Sequence, residues 1–574
     1  MSNDAPTVNP SGEKPRASQN RLVHASQHQL VHASHPDAHV PAMEIPDGVS
    51  PTPSTGTLWL MFVLGIAGAL AGFALEDVAH DVPDASVHPI WIVPFAVLLG
   101  AIALMPFIAR HWWEQNYARV AVALGLVVAG YYLFFVQHGR GNVARTLAEY
   151  ISFIYLVGSL FIVSGGIYIR VRARATPLAN AAVLLVGAVI ANFVGTTGAS
   201  MLLIRPFLRM NGNNLRAYHV VFFIFIVSNA GGSLTPIGDP PLFLGYLKGV
   251  PFFWVLEVAW PIWLLVVGLL VTVFFVIDTL HARRQERPHY RGEDLAPAVS
   301  LYGASNLLFI VLILFGVLAQ ASINEFAVEH LGFEAPWREM LMVVAAVASL
   351  RVTPFRIHLH NQFNYAPIRE VAFLFIGIFL TMLPALNYLY NRSVGSDERF
   401  LRTPGQFYFA TGALSSFLDN APTYLTFFKT ELGMVDEQVT WRELAIANRD
   451  DHALNGADVQ GLTPRQAEVL RESVAAVMKY HAGEVATHRV TEESARIAQV
   501  LGDKELRLYL VAISMGAVLF GACTYIGNGP NFMVKSIAEH AGVKMPSFFG
   551  YILVYTFPVL LPILVLVWAF FLRG

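Results

Sequence analysis

The chain has 574 residues, of which 55% are hydrophobic and 14% charged, and its mean hydropathy is +0.52. Soluble domains carry about a quarter charged residues, so this composition reads as an all-α polytopic membrane protein. A formal net charge of −2 excludes an electrostatic nucleic-acid binder, and the single cysteine, Cys523, excludes an intrachain disulfide.

Residues 1–55 are rich in Pro, Ser, Asn and His without apolar periodicity, the composition of a disordered cytoplasmic tail. "LVHAS" occurs there twice, and His24, His28 and His32 share a four-residue spacing. A transition-metal site on one helical face and a low-complexity duplication both fit that spacing. No apolar run stands near the start, so no signal peptide is expected.

From Thr57 onward, apolar stretches long enough to cross a ~30 Å hydrocarbon layer recur. About eleven spans are predicted: an extra first helix within 57–76, then 89–108, 118–136, 150–169, 219–246, 253–277, 301–320, 337–350, 370–390, 507–535 and 548–571. Two further apolar stretches, 178–208 and 405–428, are interrupted by "FVGTTGAS" and "FLDNAPT" and read as re-entrant hairpins. With the N-terminus cytoplasmic, the inner loops hold Arg110, Arg170, Arg172, Arg174, Arg283, Arg284, Arg287, Arg291, Arg351, Arg356 and Arg369. The outer loops hold Glu76, Asp77, Asp81, Asp84, Glu325, Glu329 and Glu334, with Arg140 and Arg145 as exceptions. This bias predicts a bacterial-type inner-membrane protein with its C-terminus extracytoplasmic. The polar segment 431–504, helical in pattern, is expected to be an extracytoplasmic insert.

The two halves repeat. "GSLTPIGDPPLF" at Gly232–Phe243 overlays "GACTYIGNGPNF" at Gly521–Phe532, so that Asp239 falls on Asn528. "NFVGTTGAS" from Asn192 overlays "SFLDNAPTY" from Ser416, which sets Gly195 and Thr196 against Asp419 and Asn420. The predicted organisation is a first repeat over 89–280, a cytoplasmic linker over 281–300 and a second, inverted repeat over 301–574. Each repeat contains a hairpin and a broken helix, over 219–246 and 507–535. Inverted repeats with discontinuous helices at matching positions mark the binding site of a secondary transporter.

Unpaired backbone groups are costly in lipid, so four interruptions in register imply a shared polar site. Freed carbonyls, the hydroxyls of Thr196, Thr197, Ser233, Thr235, Thr423 and Thr524, and the amides of Asn229, Asn420, Asn528 and Asn531 offer hard oxygen ligands for Na⁺. Half-helix N-termini offer positive dipole ends to an anion instead. Asp239 and Asp419 are the carboxylates at the breaks, where a proton and Na⁺ would compete. Each also has a plain structural reading: Asp419 as an N-cap, and Asp239 as the end of a half-helix before two prolines. Thr235 and Thr524 divide between ligand and packing. Arg205 and Arg209 divide between inner-surface anchors and anion ligands, Glu257 between an interfacial residue and a candidate on a proton path, and His219 reads as interfacial.

At these residues the sequence resembles the ion transporter superfamily of arsenite permeases, D-type sodium/proton antiporters, citrate transporters and divalent anion/sodium symporters. "NAGGSLTPIGDPP" resembles the antiporter and citrate-transporter-like branch, and "FLDNAPT" the acidic hairpin of the antiporters. The resemblance implies a scaffold and a transport domain, elevator-like alternating access and a homodimer. It places the ion site at Thr196, Thr197, Asn229, Gly232, Thr235, Asp239, Asp419, Asn420, Thr423, Thr524, Gly527 and Asn528. The dicarboxylate branch carries a Ser-Asn-Thr pattern at both tips, whereas here the tips read "GTTG" and "LDNAPT", which favours a cation.

The expected function is a Na⁺/H⁺ antiporter using Na⁺ and H⁺ and no other cofactor; a citrate, dicarboxylate or arsenite transporter coupled to Na⁺ or H⁺ is the alternative. The expected partners are inorganic cations, a small organic anion and the lipid bilayer. No nucleophile–base pattern or paired histidine occurs within the spans, so an enzyme is not expected.

Overall fold

The computed structural model describes residues 53–78, 87–172, 175–284, 298–331, 333–393, 401–449, 452 and 454–573. The tail, the His24, His28 and His32 series and most of the 281–300 linker lie outside them.

The apolar runs fold as helices because a spanning segment must satisfy its backbone internally. In chain order, α1 (Thr55–Val78), α2 (Val93–Ile108), α3 (Arg110–Phe135) and α4 (Gly139–Gly165) come first. They are followed by β1 (Tyr168–Arg172), α5 (Pro177–Asn211), α6 (Ala217–Ile226), α7 (Pro240–Leu247) and α8 (Trp254–Arg284). The second half opens with β2 (Ala298–Tyr302), α9 (Ser305–Leu318), α10 (Gln320–Leu331), α11 (Trp337–Val352), α12 (Phe355–His360) and α13 (Ala366–Ser393). Then come α14 (Pro404–Phe417), α15 (Asn420–Leu432), the insert helices α16 (Glu437–Ala447), α17 (Pro464–Tyr480), α18 (Ala482–Ala486) and α19 (Glu492–Gly502), and α20 (Lys504–Phe520) and α21 (Gly529–His540). A short α22 (Phe548–Tyr551) runs through a π-helical stretch into α23 (Leu561–Phe571).

Among the described residues, nine helices are long and apolar enough to cross a membrane, or ten with the bent pair at α9 and α10. Their outer faces expose large apolar side chains such as Trp59, Leu104, Phe134, Phe135 and Phe570, a surface that belongs in lipid rather than water. The two counts differ in membership: the nine include α5, read from the sequence as a hairpin, and leave out α6 with α7, each too short alone, the bent α9 and the 16-residue α11. The predicted spans 150–169 and 301–320 also lose residues to β1 and β2, which pair antiparallel with Tyr168 opposite Tyr302 and clasp the two halves together.

Helices α3, α4 and α13 pack closely. Phe153 stacks on Phe375 with centroids 4.8 Å apart, and at Gly377 an added Cβ would lie 2.6 Å from the Ala121 carbonyl. Small residues at such a crossing let helix backbones approach, as is usual between helices in a membrane.

Two elements fold back on themselves. Asn180 and Asn211, at the two ends of α5, exchange side-chain hydrogen bonds of 2.9 Å in both directions. In a straight helix they would stand ~46 Å apart, so α5 is a hairpin, and its turn is at Gly195 (φ 77, ψ 156). Helices α14 and α15 form the second hairpin, with Phe407 and Phe427 meeting edge to face across it at 6.0 Å.

Candidate functional site

Asp239 ends the break between α6 and α7 and is wholly buried. The first hairpin tip reaches it through Thr196, whose hydroxyl donates to Asp239 Oδ1 at 3.0 Å. Asn420, at the second tip, donates from Nδ2 to Asp239 Oδ2 at 2.6 Å. Asn528, in the second break, donates to Oδ1 at 3.2 Å. One carboxylate thus gathers all four interruptions. The residues paired in the repeat, Thr196 with Asn420 and Asp239 with Asn528, meet at this point.

The network extends through amides. Asn528 Nδ2 also reaches Asn229 Oδ1 at 3.1 Å, and Asn229 Nδ2 donates to Asn531 Oδ1 at 2.7 Å and to the Ile224 carbonyl at 2.8 Å. Asn531 Nδ2 in turn serves the carbonyls of Gly521 and Thr524 at 2.8 and 2.9 Å. Side chains therefore satisfy backbone carbonyls that the helix breaks leave free, as a buried site requires.

Each hairpin is latched to the break of its own repeat by the same device. Thr235 donates its hydroxyl to the Asn192 carbonyl at 2.6 Å and accepts from the Gly238 N–H at 3.1 Å. Thr524 donates to the Ser416 carbonyl and accepts from the Gly527 N–H at 3.1 Å. The backbones cross too closely for any side chain: a Cβ on Gly238 would lie 2.1 Å from the Gly232 carbonyl, and one on Gly527 would lie 2.6 Å from that of Gly521. Thr235, Thr524, Gly232 and Gly527 thus shape the site and are not among the hydrogen-bond partners of Asp239.

Asp419 is placed differently from Asp239. It is half-buried, accepts from the Ala421 N–H at 3.2 Å as the N-cap of α15, and makes no hydrogen bond to the Asp239 network. Thr423 donates back to the Asp419 carbonyl at 3.1 Å within the same turn. Thr197 lines a small, largely apolar cavity of about 50 Å³ beside the first tip, with Gly195, Ile237, Phe153 and Phe243. Ser233 turns inward to the Ala230 carbonyl.

The other candidates lie apart from this centre. Arg205 donates to Gln362 at 3.2 Å, and Arg209 donates to the Tyr168 hydroxyl at 2.6 Å. Glu257 pairs with Lys479 at 3.5 Å on an exposed surface. His219 is buried within the protein: it is 2% exposed and faces Asp278 at 3.2 Å. Its Nδ1 accepts from the Arg216 N–H at 3.2 Å, which leaves the ring proton on Nε2 toward Asp278. Tyr218 and Asn180 also donate to Asp278, at 2.6 and 2.9 Å. Asp278 went unread in the sequence because it follows an apolar run directly and looks like its polar end.

Among the described residues, the partners of Asp239 are a hydroxyl and two amides, with no arginine, lysine or histidine in its hydrogen bonds. Asn420 Oδ1 is buried without a partner, so a turn of that amide would present an oxygen beside the carboxylate. Hydroxyl, amide and carboxylate oxygens are the donors that alkali cations and protons use.

A family model described as "Putative citrate transport" matches residues 84–572, most of the chain. The chain belongs to this citrate-transport family. No curated protein matches the sequence. Membership in a transport family, together with many apolar helices, makes the protein a multi-pass secondary transporter and not an enzyme. The matched region contains both hairpins, both breaks and the insert.

Proposed function

We propose that the protein is a Na⁺/H⁺ antiporter in which Asp239 alternately binds a proton and Na⁺. The reading is carried by one observation: a buried carboxylate held by Thr196, Asn420 and Asn528 from the three other breaks, with no cationic side chain among the described residues bonded to it. Such a carboxylate is costly in a low-dielectric interior unless neutralised, and a proton or a small cation each does so. Because both hairpins and both breaks contribute to it, the site would travel as one unit against the remaining helices, opening to each side of the membrane in turn.

A second reading, a citrate carrier coupled to Na⁺ or H⁺ at the same carboxylate, is favoured by the family match. In that case the half-helix N-termini of α15 and α21, which converge on Asp239, supply positive dipole ends near the anion.

Purified protein in proteoliposomes with an enclosed pH dye separates the two. Alkalinisation of an acid-loaded lumen by external Na⁺ or Li⁺ alone supports antiport. A response that requires citrate supports the second reading. Wild-type activity in Asp239→Asn, with either substrate, overturns both.

A further inference from the structure

The second hairpin carries a carboxyl that the ion site does not use. Glu431 lies in the last turn of α15, is wholly buried, and among the described residues no side chain hydrogen-bonds either of its carboxyl oxygens. It shares a helical face with Asn420: positions 420, 424, 428 and 431 recur at the spacing of one side of a helix, and all four residues are at most 1% exposed. Tyr424 and Phe428 stack along this stripe with centroids 5.6 Å apart. The Tyr424 ring lies within electrostatic range of the Glu431 carboxyl, and its hydroxyl packs against Gly245 of α7, where an added Cβ would stand 2.3 Å away. On α20, Ser514 is buried with its hydroxyl within reach of the Tyr424 hydroxyl, and the Leu510 backbone N–H is directed at the Glu431 carboxyl. Asp239 stands at the N-cap position of α7. The stripe therefore runs ~16 Å along α15, from the ion site to the end of the hairpin beside the insert.

The charged groups at that end are engaged elsewhere. Lys429 lies over the Tyr390 ring of α13 at 4.9 Å and within 4.0 Å of Glu493. Arg496 of α19 pairs with Glu492 at 2.7 Å and touches this hairpin at the Leu432 carbonyl, 3.5 Å away. On α7, Lys248 is bound to Glu149, and Tyr246 donates to the Val317 carbonyl. A buried carboxyl with no counter-charge and no side-chain donor escapes most of its burial cost as the neutral acid. Such an acid, two turns along α15 from the Tyr424 hydroxyl and on the same helical face as the Asn420 that bonds Asp239, is placed to hand on a proton.

We infer that Glu431 is the relay carboxyl of the carrier, exchanging protons with the aqueous space beside the insert and with Asp239 along the Tyr424 and Ser514 stripe. The inference rests on the proton-coupled reading of Asp239. In the step, Glu431 gives up its proton through hydroxyls and intervening water to the Asp239 carboxylate. Glu431, left as a carboxylate, then takes a proton from the aqueous side.

The test compares wild type, Glu431→Gln and Tyr424→Phe in proteoliposomes by two readouts: Na⁺-driven proton flux across a pH series, and ²²Na⁺ exchange at equal Na⁺ and equal pH on both sides. The expected result is a proton flux at least tenfold lower in Glu431→Gln and severalfold lower in Tyr424→Phe, with ²²Na⁺ exchange within twofold of wild type. Glu431→Asp is expected to restore part of the flux with a shifted pH profile. Wild-type flux and pH profile in both variants overturn the relay while leaving Asp239 in place. Absence of Na⁺-driven proton flux in the wild type overturns the antiport reading and the relay with it. Should Glu431→Gln fail to fold, the isosteric Tyr424→Phe decides alone.

Discussion

Asp239 and Asp419 sit at breaks in opposite repeats, yet their hydrogen-bond surroundings differ. Asp239 accepts from Thr196, Asn420 and Asn528, so replacing it with Asn sets an amide against two amides and removes the charge a cation requires. Transport by Asp239→Asn is expected to fall at least a hundredfold, measured as the initial rate in proteoliposomes against a purified, folded control. Asn420→Ala removes one donor to a charged group, an interaction worth about 1.5–3 kcal/mol, and should change the apparent ion affinity by about ten- to a hundredfold. Asp419 caps α15 through the Ala421 N–H, and Asn caps about as well as Asp. Asp419→Asn should therefore transport within a few-fold of wild type; loss of transport in that variant would make Asp419 an ion ligand.

Among the elements, the hairpin tips and the insert make the sharpest demands. Gly195 holds φ 77 and ψ 156, a region essentially reserved for glycine, and a side chain there costs on the order of 1–3 kcal/mol. Its Cβ would also come within 3.3 Å of the Ile237 carbonyl. Gly195→Val should lower both the melting temperature and the transport rate, and a variant with both unchanged would contradict the strained turn. In the insert, Glu443 of α16 is wholly buried with neither carboxyl oxygen partnered, and burial holds its carboxyl well above the usual carboxylate range. The folded chain then keeps a proton that the unfolded chain releases above about pH 4.3. Stability is therefore lost as pH rises from that value toward the folded-state pKa. Glu443→Gln should melt higher than wild type at pH 7, with the gap closing as pH falls toward about 4. These helices were legible as helices from their 3.6-residue patterning, while the burial of Glu443 was not, since a glutamate on an amphipathic helix reads as solvated.

The insert also belongs to the molecule as a whole. Ile497, Val500 and Leu501 of α19 are buried in the same apolar cluster as α6, α7 and α20, and burying each such side chain is worth about 1.5–3 kcal/mol. Deleting α16 through α19 should yield aggregated protein on size exclusion, and a monodisperse, transporting deletion would instead make the insert a separate cap. At this scale the sequence by itself determined the membrane class, the places where helices break and the matching of the halves. Glycines, prolines and an aspartate inside apolar runs are too costly in lipid to occur without a shared polar purpose. Only the tertiary structure decided which carboxylate stands at the centre, that Thr235 and Thr524 act as latches, that His219 is buried against Asp278, and that Glu431 lies in line with Asp239. Those facts depend on contacts between residues 40 to 300 positions apart, which periodicity along one helix cannot encode.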